Sequence, residues 1–195
     1  MKKHEHSGAA RKHFENPGRI LLDAGLKHGD IFLDVGTGSG YIAVAAAEIV
    51  GNTAKVYALD IYDQSIAALN KDILDKGIKN LVTMRFDAME KIPVASSTID
   101  VCLMSNVIHG FVANNELDTV MKNINRVLNE DGKIIAIDFK KIDTGFGPPL
   151  EIRLSKEDMV EKLAQYGYKL EKNFEVGSNH YCLVFQRVSL QDKFC

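Results

Sequence analysis

IFLDVGTGSGY, residues 31–41, is the stretch that decides the fold of this chain. It joins a short apolar run and an acid, Asp34, to glycines at positions 36, 38 and 40, and an alanine-rich run, YIAVAAAEIV, follows. A continuous apolar run is typical of a strand buried in a parallel sheet, and closely spaced glycines let the chain turn sharply beside a ligand. The stretch therefore predicts a strand, a glycine turn and a helix whose exposed amides attract an electron-rich ligand.

Two positions indicate which nucleotide would bind there. The dinucleotide fingerprint G-x-G-x-x-G needs its third glycine where this chain has Tyr41. A second apolar run, VYALD, ends in Asp60, and a carboxylate at such a strand end accepts hydrogen bonds from both hydroxyls of a ribose. The pattern predicts an adenosyl ligand without a pyrophosphate, and a tight turn in an unrelated α/β domain is the alternative.

Composition limits the classes of function. The chain has 195 residues, 46% hydrophobic and 26% charged, as expected for one globular domain in solution. A net charge of −2 and the lack of a basic stripe give no support for a nucleic-acid partner. The longest apolar run, residues 41–50, is too short to cross a membrane, and no apolar signal core follows the basic start. Cys102, Cys182 and Cys195 form no close pair, which fits a reducing cytoplasm.

The order of the predicted elements indicates a parallel sheet that ends differently from a dinucleotide-binding fold. Strands and helices alternate over the first five strands, with the loop AMEKIPVASST before the fourth. The last two strand-like runs, residues 168–176 and 180–188, are joined only by Gly-Ser-Asn. So short a link has no room for a crossover helix, so these two strands are predicted to be antiparallel.

Local signals predict where several helices begin and end. Asn16 before a proline is typical of a helix cap, Asp63 is a second candidate cap, and Ser155 with Asp158 forms a capping box. An apolar stripe from residue 117 to residue 128 predicts a helix that stops at Asp131 and the glycine after it. The segment after the fourth strand, SNVIHGF, reads as a loop.

At the glycine turn and Asp60 the chain resembles the class I S-adenosylmethionine-dependent methyltransferases, whose motif I is an acid followed by G-x-G-x-G. The resemblance, to the small single-domain type (methyltransferase domain 11, 25 or 31), covers roughly residues 15–188. It implies an α/β fold of three layers, with a doubly wound Rossmann-like sheet of seven strands, mostly parallel and closed by the antiparallel C-terminal hairpin. Residues 1–14 are predicted to be a mobile head and residues 189–195 a tail. A metal site on the histidines of the head is a less favoured alternative, and no metal is expected.

The resemblance also implies which residues hold the cofactor. The glycine turn would flank the methionine part, Asp60 would hold the ribose, and Ile61 would pack on the adenine. Asp87 would accept the adenine amino group, the Ala88 amide would meet a ring nitrogen, and Asn106 would line the pocket near the sulfur. Asp87 could instead cap a turn, and Asn106 could be a loop residue bonded to backbone. The cofactor-binding set is Asp34, Gly36, Thr37, Gly38, Gly40, Asp60, Ile61, Asp87, Ala88 and Asn106.

The implied reaction is an in-line displacement in which an acceptor takes the methyl group and S-adenosylhomocysteine leaves. The protein then has mainly to align the reacting atoms and exclude water. A base is needed only if the nucleophile keeps its proton at neutral pH. His109 is the preferred candidate, because an unperturbed imidazole titrates in that range, and Asp138 is the second. For each, a packing or hydrogen-bonding role is the alternative.

The acceptor is predicted to be a small molecule. Base-modifying amino-methyltransferases carry Asn- or Asp-Pro-Pro-aromatic after the fourth strand, where this chain reads SNVIHG. What remains resembles the broad group that includes the quinone-biosynthesis C-methyltransferases. The segment TGFGPPLE, residues 144–151, is predicted to form a rim of the site, where Lys140 and Lys141 would favour an anionic acceptor unless they are only solvated surface charges.

Two other classes of function stay open from the sequence. One is a nicotinamide-dependent oxidoreductase, which Tyr41 and the terminal hairpin oppose. The other is a non-catalytic module that binds S-adenosylmethionine. No membrane partner is expected, and a homodimer is left open.

Overall fold

A computed structural model describes residues 16–188, so the predicted head and tail lie outside the described residues. Seven strands form one sheet in the order β3-β2-β1-β4-β5-β7-β6. The strands are β1 Phe32–Val35, β2 Val56–Asp60, β3 Leu81–Arg85, β4 Ile99–Ser105, β5 Leu128–Phe139, β6 Tyr168–Val176 and β7 His180–Arg187. The helices are α1 Pro17–Asp23, α2 Tyr41–Val50, α3 Asp63–Lys76, α4 Ile108–Ala113, α5 Leu117–Val127 and α6 Lys156–Ala164, with a 3₁₀ turn at Leu150–Ile152.

The sheet has the predicted topology. Strands β1 to β5 are parallel, whereas β7 runs antiparallel to both β5 and β6. Only three residues join β6 to β7, so these strands pair as a hairpin; β7 lies next to β5, and β6 forms the edge. The prediction of a mostly parallel sheet with an antiparallel C-terminal hairpin is confirmed.

Alternate side chains of the buried strands pack on opposite faces of the sheet. Phe32 belongs to the apolar core that includes side chains of α1, α2 and α3, whereas its neighbour Leu33 belongs to the core formed with α4, α5 and α6. This period of two gives the predicted three layers. None of the helices in residues 16–188 is both long and apolar enough to cross a bilayer.

The capping signals were partly correct. The Asn16 side chain accepts a hydrogen bond from the amide of Arg19, and Ser155 with Asp158 forms both bonds of a capping box. The prediction that Asp63 caps its helix is wrong, because Asp63 is the first helical residue and Tyr62 occupies the cap position. Asp63 instead forms an exposed ion pair with Arg85 at the end of β3.

The predicted end of the long apolar helix is also wrong. Helix α5 ends at Val127, and β5 begins at Leu128 and runs through Asp131 and Gly132. Leu128 is fully buried in extended conformation and lies opposite Ile99 of β4. Pairing in the sheet therefore overrides the local stop signal, which tertiary context often does to local propensity.

Gly40 shows why the glycine turn has to contain glycine. It has φ +74° at the start of α2, and an added Cβ would lie 2.3 Å from Cδ1 of Leu69. Leu69 is fully buried on α3, so it has little room to move. Left-handed strain and overpacking together predict that Gly40→Ala lowers the free energy of unfolding by about 2 to 4 kcal/mol, measured by urea denaturation.

Gly77 provides the matched control for this prediction. It has φ +64° at the end of α3, and no atom lies within 4 Å of an added Cβ. Gly77→Ala therefore carries only the backbone strain, about 1 kcal/mol. Equal losses in the two variants would contradict the role given to the contact with Leu69.

Candidate active site

The glycine turn lies at the carboxyl edge of the sheet, as predicted, but its amides are already used. The amides of Gly36 and Thr37 donate to the carbonyl of Leu59 at 2.9 and 2.8 Å. The Gly38 amide donates to the Asp60 carboxylate at 2.7 Å, and the Gly40 amide donates to the carbonyl of Thr37. The amides of the turn itself are therefore used within the protein, and the amides expected to attract a ligand are those of the helix start, which these bonds do not involve.

Asp34 is a buried acid beneath the turn. Its carboxylate accepts a hydrogen bond of 2.6 Å from the Thr37 hydroxyl. Burial raises the pKa of Asp34 from 3.8 to about 7; the bond from Thr37 opposes this rise, and the nearby charge of Asp60 adds to it. Near neutral pH this carboxyl is poised between its two protonation states, so a cation beside it would favour the ionised form.

Asp60 ties the end of β2 to the glycine turn. One carboxylate oxygen accepts from Gly38, and the other accepts from the Tyr62 amide at 2.9 Å. A carboxylate has about four lone-pair positions, so this arrangement leaves acceptor capacity for a ribose. The next residue, Ile61, is 47% exposed although it is apolar, which suits a side chain that packs on a flat ring.

Asp87 and Ala88 follow β3 on the same edge. One oxygen of the Asp87 side chain accepts the Met89 amide at 2.9 Å, as expected if Asp87 caps a turn. Its second oxygen is of the right type to accept an amino group from a ligand. The Ala88 carbonyl is held by Asn123 of α5, and Ala88 is buried.

Two buried side-chain oxygens near the turn have no hydrogen-bond partner within the described residues. They are Oδ1 of Asn106, which follows β4 with φ +57°, and Oγ of Ser39 inside the turn. Val107, the neighbour of Asn106, would contact a Cβ placed on Gly36, so the two segments touch. Unpaired buried polar atoms in a native structure call for a partner, and a polar ligand between these segments would supply it. The residues present therefore fit the adenosyl cofactor. Ser39 lies inside the glycine motif but was not among the residues predicted from the sequence to bind it.

His109 and Asp138 form a buried pair. The imidazole Nδ1 lies 2.8 Å from Oδ1 of Asp138, and Oδ2 accepts the His109 amide at 3.3 Å. Both side chains are almost fully buried, and Asp138 also accepts the amide of Phe139. His109 lies on α4 and not in a loop, so that expectation is corrected. In the neutral tautomer that donates Nδ1–H to Asp138, Nε2 carries no proton, which is the arrangement of an oriented base.

The two lysines of the rim form ion pairs. Lys140 pairs with Glu175, and Lys141 pairs with Asp158 at 3.1 Å. Each of these lysines has a carboxylate partner, but Glu175 is shared with Lys156, so the preference for an anionic acceptor stays a prediction. Three large apolar side chains of the same segment are instead exposed: Ile142, Phe146 and Leu150.

Arg153 holds the rim segment together. Its guanidinium is buried and donates to four carbonyls, those of Lys140, Ile142, Phe146 and Pro148. It also lies over the ring of Phe139, 5.1 Å from the centroid. The rim segment is therefore held in place by hydrogen bonds from the Arg153 guanidinium to its carbonyls. Within residues 16–188, no group of three His, Cys, Asp or Glu could hold a metal ion.

A family model described as a methyltransferase domain matches residues 26–185. The chain belongs to this methyltransferase family. It is 28% identical, over 72% of this chain and 54% of the relative, to the ubiquinone/menaquinone biosynthesis C-methyltransferase UbiE of Laribacter hongkongensis. It is 26% identical, over 86% of this chain and 48% of the relative, to the ribosomal protein L11 methyltransferase of Carboxydothermus hydrogenoformans. The chain thus spans about half the length of these curated relatives.

The fold of this chain is also similar to that of a solved methyltransferase structure of similar length. A SAM-dependent methyltransferase from Aquifex aeolicus shares 28% identity over 90% of both chains, with a TM-score of 0.81. The prediction of a class I methyltransferase is confirmed, and S-adenosylmethionine is the cofactor that this membership implies. The same membership decides against the nicotinamide-dependent oxidoreductase.

Proposed function

We propose that this protein transfers the methyl group of S-adenosylmethionine to a small, largely apolar acceptor that gives up a proton as it reacts. A hydroxylated aromatic ring, such as a quinol, has this chemistry. The observation that carries the proposal is the bond of 2.7 Å between the Gly38 amide and Asp60, which joins the glycine turn to the candidate ribose ligand. The roles given to individual residues are part of the proposal.

The residues present would divide the work between two ends of one pocket. S-adenosylmethionine supplies a methyl group already activated by its sulfonium. Asp60 and Asp87 accept hydrogen bonds from the nucleoside, Ile61 covers the adenine, and the Asn106 side chain faces the reacting end. These contacts fix the direction of the methyl group and keep water away, which is the main contribution that a displacement requires.

The buried pair supplies the base. Asp138 holds His109 in one orientation and stabilises the imidazolium that forms when the unprotonated Nε2 takes a proton. The acceptor hydroxyl then carries the negative charge, which makes the ring carbon or the oxygen nucleophilic. Burial keeps water from the imidazole while the acceptor is bound, and the proton passes to solvent after the products leave.

The choice of an apolar acceptor rests on the rim and on one relative. The rim lysines are paired with acids, whereas Ile142, Phe146 and Leu150 are exposed beside the site. An exposed group of apolar side chains is typical of a binding surface. The name of the matched relative from Laribacter hongkongensis, a quinone-biosynthesis C-methyltransferase, supports the same class of acceptor.

Mass spectrometry of small molecules carried through native purification tests the cofactor first. We expect S-adenosylmethionine or S-adenosylhomocysteine at close to one equivalent, and NADH should not displace it. Transfer of a labelled methyl group to a panel of quinols and phenols then tests the acceptor, with purified ribosomal protein as the comparison. Labelling of a protein only, or tight cofactor binding with no labelled product, would contradict the proposal.

The affinity for S-adenosylmethionine is expected to depend on pH through Asp34. Burial raises its pKa to about 7, so the acid is mostly protonated at pH 6 and mostly ionised at pH 8. A ligand with a net positive charge prefers the ionised acid, so its affinity should rise about five- to tenfold over this range. Titration calorimetry at each pH measures it. Asp34→Asn should remove the dependence, and a slope that persists in that variant would assign it elsewhere.

We also propose the cytoplasm as the compartment, since Cys102 and Cys182 are free thiols in the buried strands. The oligomeric state stays a prediction, and sedimentation of the purified protein measures it.

A further inference from the structure

The connection from β3 to β4 differs from the other crossovers of the parallel strands because residues 86–98 contain no helix. This segment begins with Asp87 and Ala88, the residues proposed to read the adenine. A segment without regular structure has to satisfy its backbone groups through other partners, because unpaired buried groups are costly.

Helix α5 supplies those partners from two side chains one turn apart. Asn123 Nδ2 donates to two carbonyls, at 2.9 and 2.5 Å, and the Arg126 guanidinium donates to two more. The carbonyls belong to every second residue of the segment: Ala88, Glu90, Ile92 and Val94. The segment itself is bent by two tight turns, closed by the Glu90 and Val94 amides, so these four carbonyls are held by α5 and not by a neighbouring strand.

The first of these bonds reaches the candidate adenine site directly. The carbonyl of Ala88 and the amide of Met89 belong to one planar peptide unit. Asn123 binds the carbonyl end of this unit, and the Asp87 carboxylate accepts its amide at 2.9 Å. Asn123 therefore fixes the plane against which the Asp87 side chain is oriented. Arg126 binds carbonyls several residues further on and has no such link.

We propose that Asn123 is a positioning residue for the adenine of the cofactor, acting through the Ala88–Met89 peptide unit on Asp87. This inference rests on the proposed function, in which Asp87 accepts the adenine amino group. It predicts a change in selectivity between bases, which a role in folding alone would not produce. Arg126 supplies the comparison, because it holds the same segment from the same helix.

Calorimetry with two ligands tests the proposal. The probes are S-adenosylhomocysteine and its deaminated analogue, in which an oxygen replaces the adenine amino group. The wild-type protein should bind the adenine form about tenfold more tightly. Asn123→Leu should weaken S-adenosylhomocysteine about tenfold and the analogue less than about twofold, so that the preference disappears. Arg126→Met should lower thermal stability and keep the preference.

The outcomes distinguish failure of the proposed function from failure of the role given to Asn123. If wild-type protein does not bind S-adenosylhomocysteine, the proposed function fails. If wild-type protein binds both ligands equally, the role of Asp87 fails, and the inference with it. If Asn123→Leu weakens both ligands by the same factor or neither, Asn123 does not position the adenine. Should Asn123→Leu not fold, Asn123→Ala is measured in the same way, since this half-buried position on α5 tolerates a smaller side chain.

Discussion

Replacement of Asp60 by alanine is expected to weaken binding of S-adenosylmethionine by about 1 to 3 kcal/mol, or roughly 5- to 150-fold in Kd. The loss has two physical sources. The variant would lack the proposed charge-assisted hydrogen bonds to the ribose, and it releases the Gly38 and Tyr62 amides that the carboxylate holds in place. Titration calorimetry of the folded variant measures the sum of both.

Two further variants separate these sources. Asp60→Asn keeps one acceptor oxygen but loses the charge, so its affinity should lie between those of the wild type and the alanine variant. Asp63→Ala removes an acid three residues away whose side chain is 83% exposed and pairs only with Arg85 among the described residues. Its affinity should be unchanged. Unchanged affinity in a folded Asp60→Ala would contradict the assignment of the ribose.

The glycine turn and the acid at the end of β2 could be predicted from the sequence because their signals are local. Three glycines with positive φ form the turn, and Asp60 is the last residue of an apolar strand. Which groups the turn amides bind was not predictable from local pattern. The Leu59 carbonyl accepts two of them because β1 and β2 pair in parallel with Val35 beside Leu59. That register is a property of the assembled sheet.

The acceptor side depended on contacts between distant parts of the chain. His109 and Asp138 are 29 residues apart and were chosen separately, each as a candidate base, but the structure joins them as one pair. Lys140, just after β5, pairs with Glu175 of β6 because the two strands lie on either side of β7. Arg153 binds carbonyls, which leave no trace in a sequence pattern. The fold could therefore be predicted from the sequence in more detail than the residues around the methyl acceptor.

Replacement of His109 by alanine is expected to lower methyl transfer about 100-fold or more, while S-adenosylmethionine affinity changes less than about threefold. The imidazole is proposed to take the proton of the acceptor and does not contribute to the nucleoside contacts. Asp138→Asn should show a similar but smaller loss, because the ring keeps its place with a weaker orienting partner. Single-turnover transfer of labelled methyl to the quinol that reacts best measures the chemical step.

A purely structural role for the pair makes a different prediction. Asp138 also accepts the His109 amide at the start of α4, so the pair could serve only to fix that helix. Losing a structural contact lowers the rate by the same factor at every pH. Losing a base instead leaves a rate that rises about tenfold per pH unit, because hydroxide in water replaces the missing group. Added imidazole should also restore part of the activity of His109→Ala. A ratio of wild-type to variant rates that stays constant with pH, and no response to imidazole, would assign the pair to the fold.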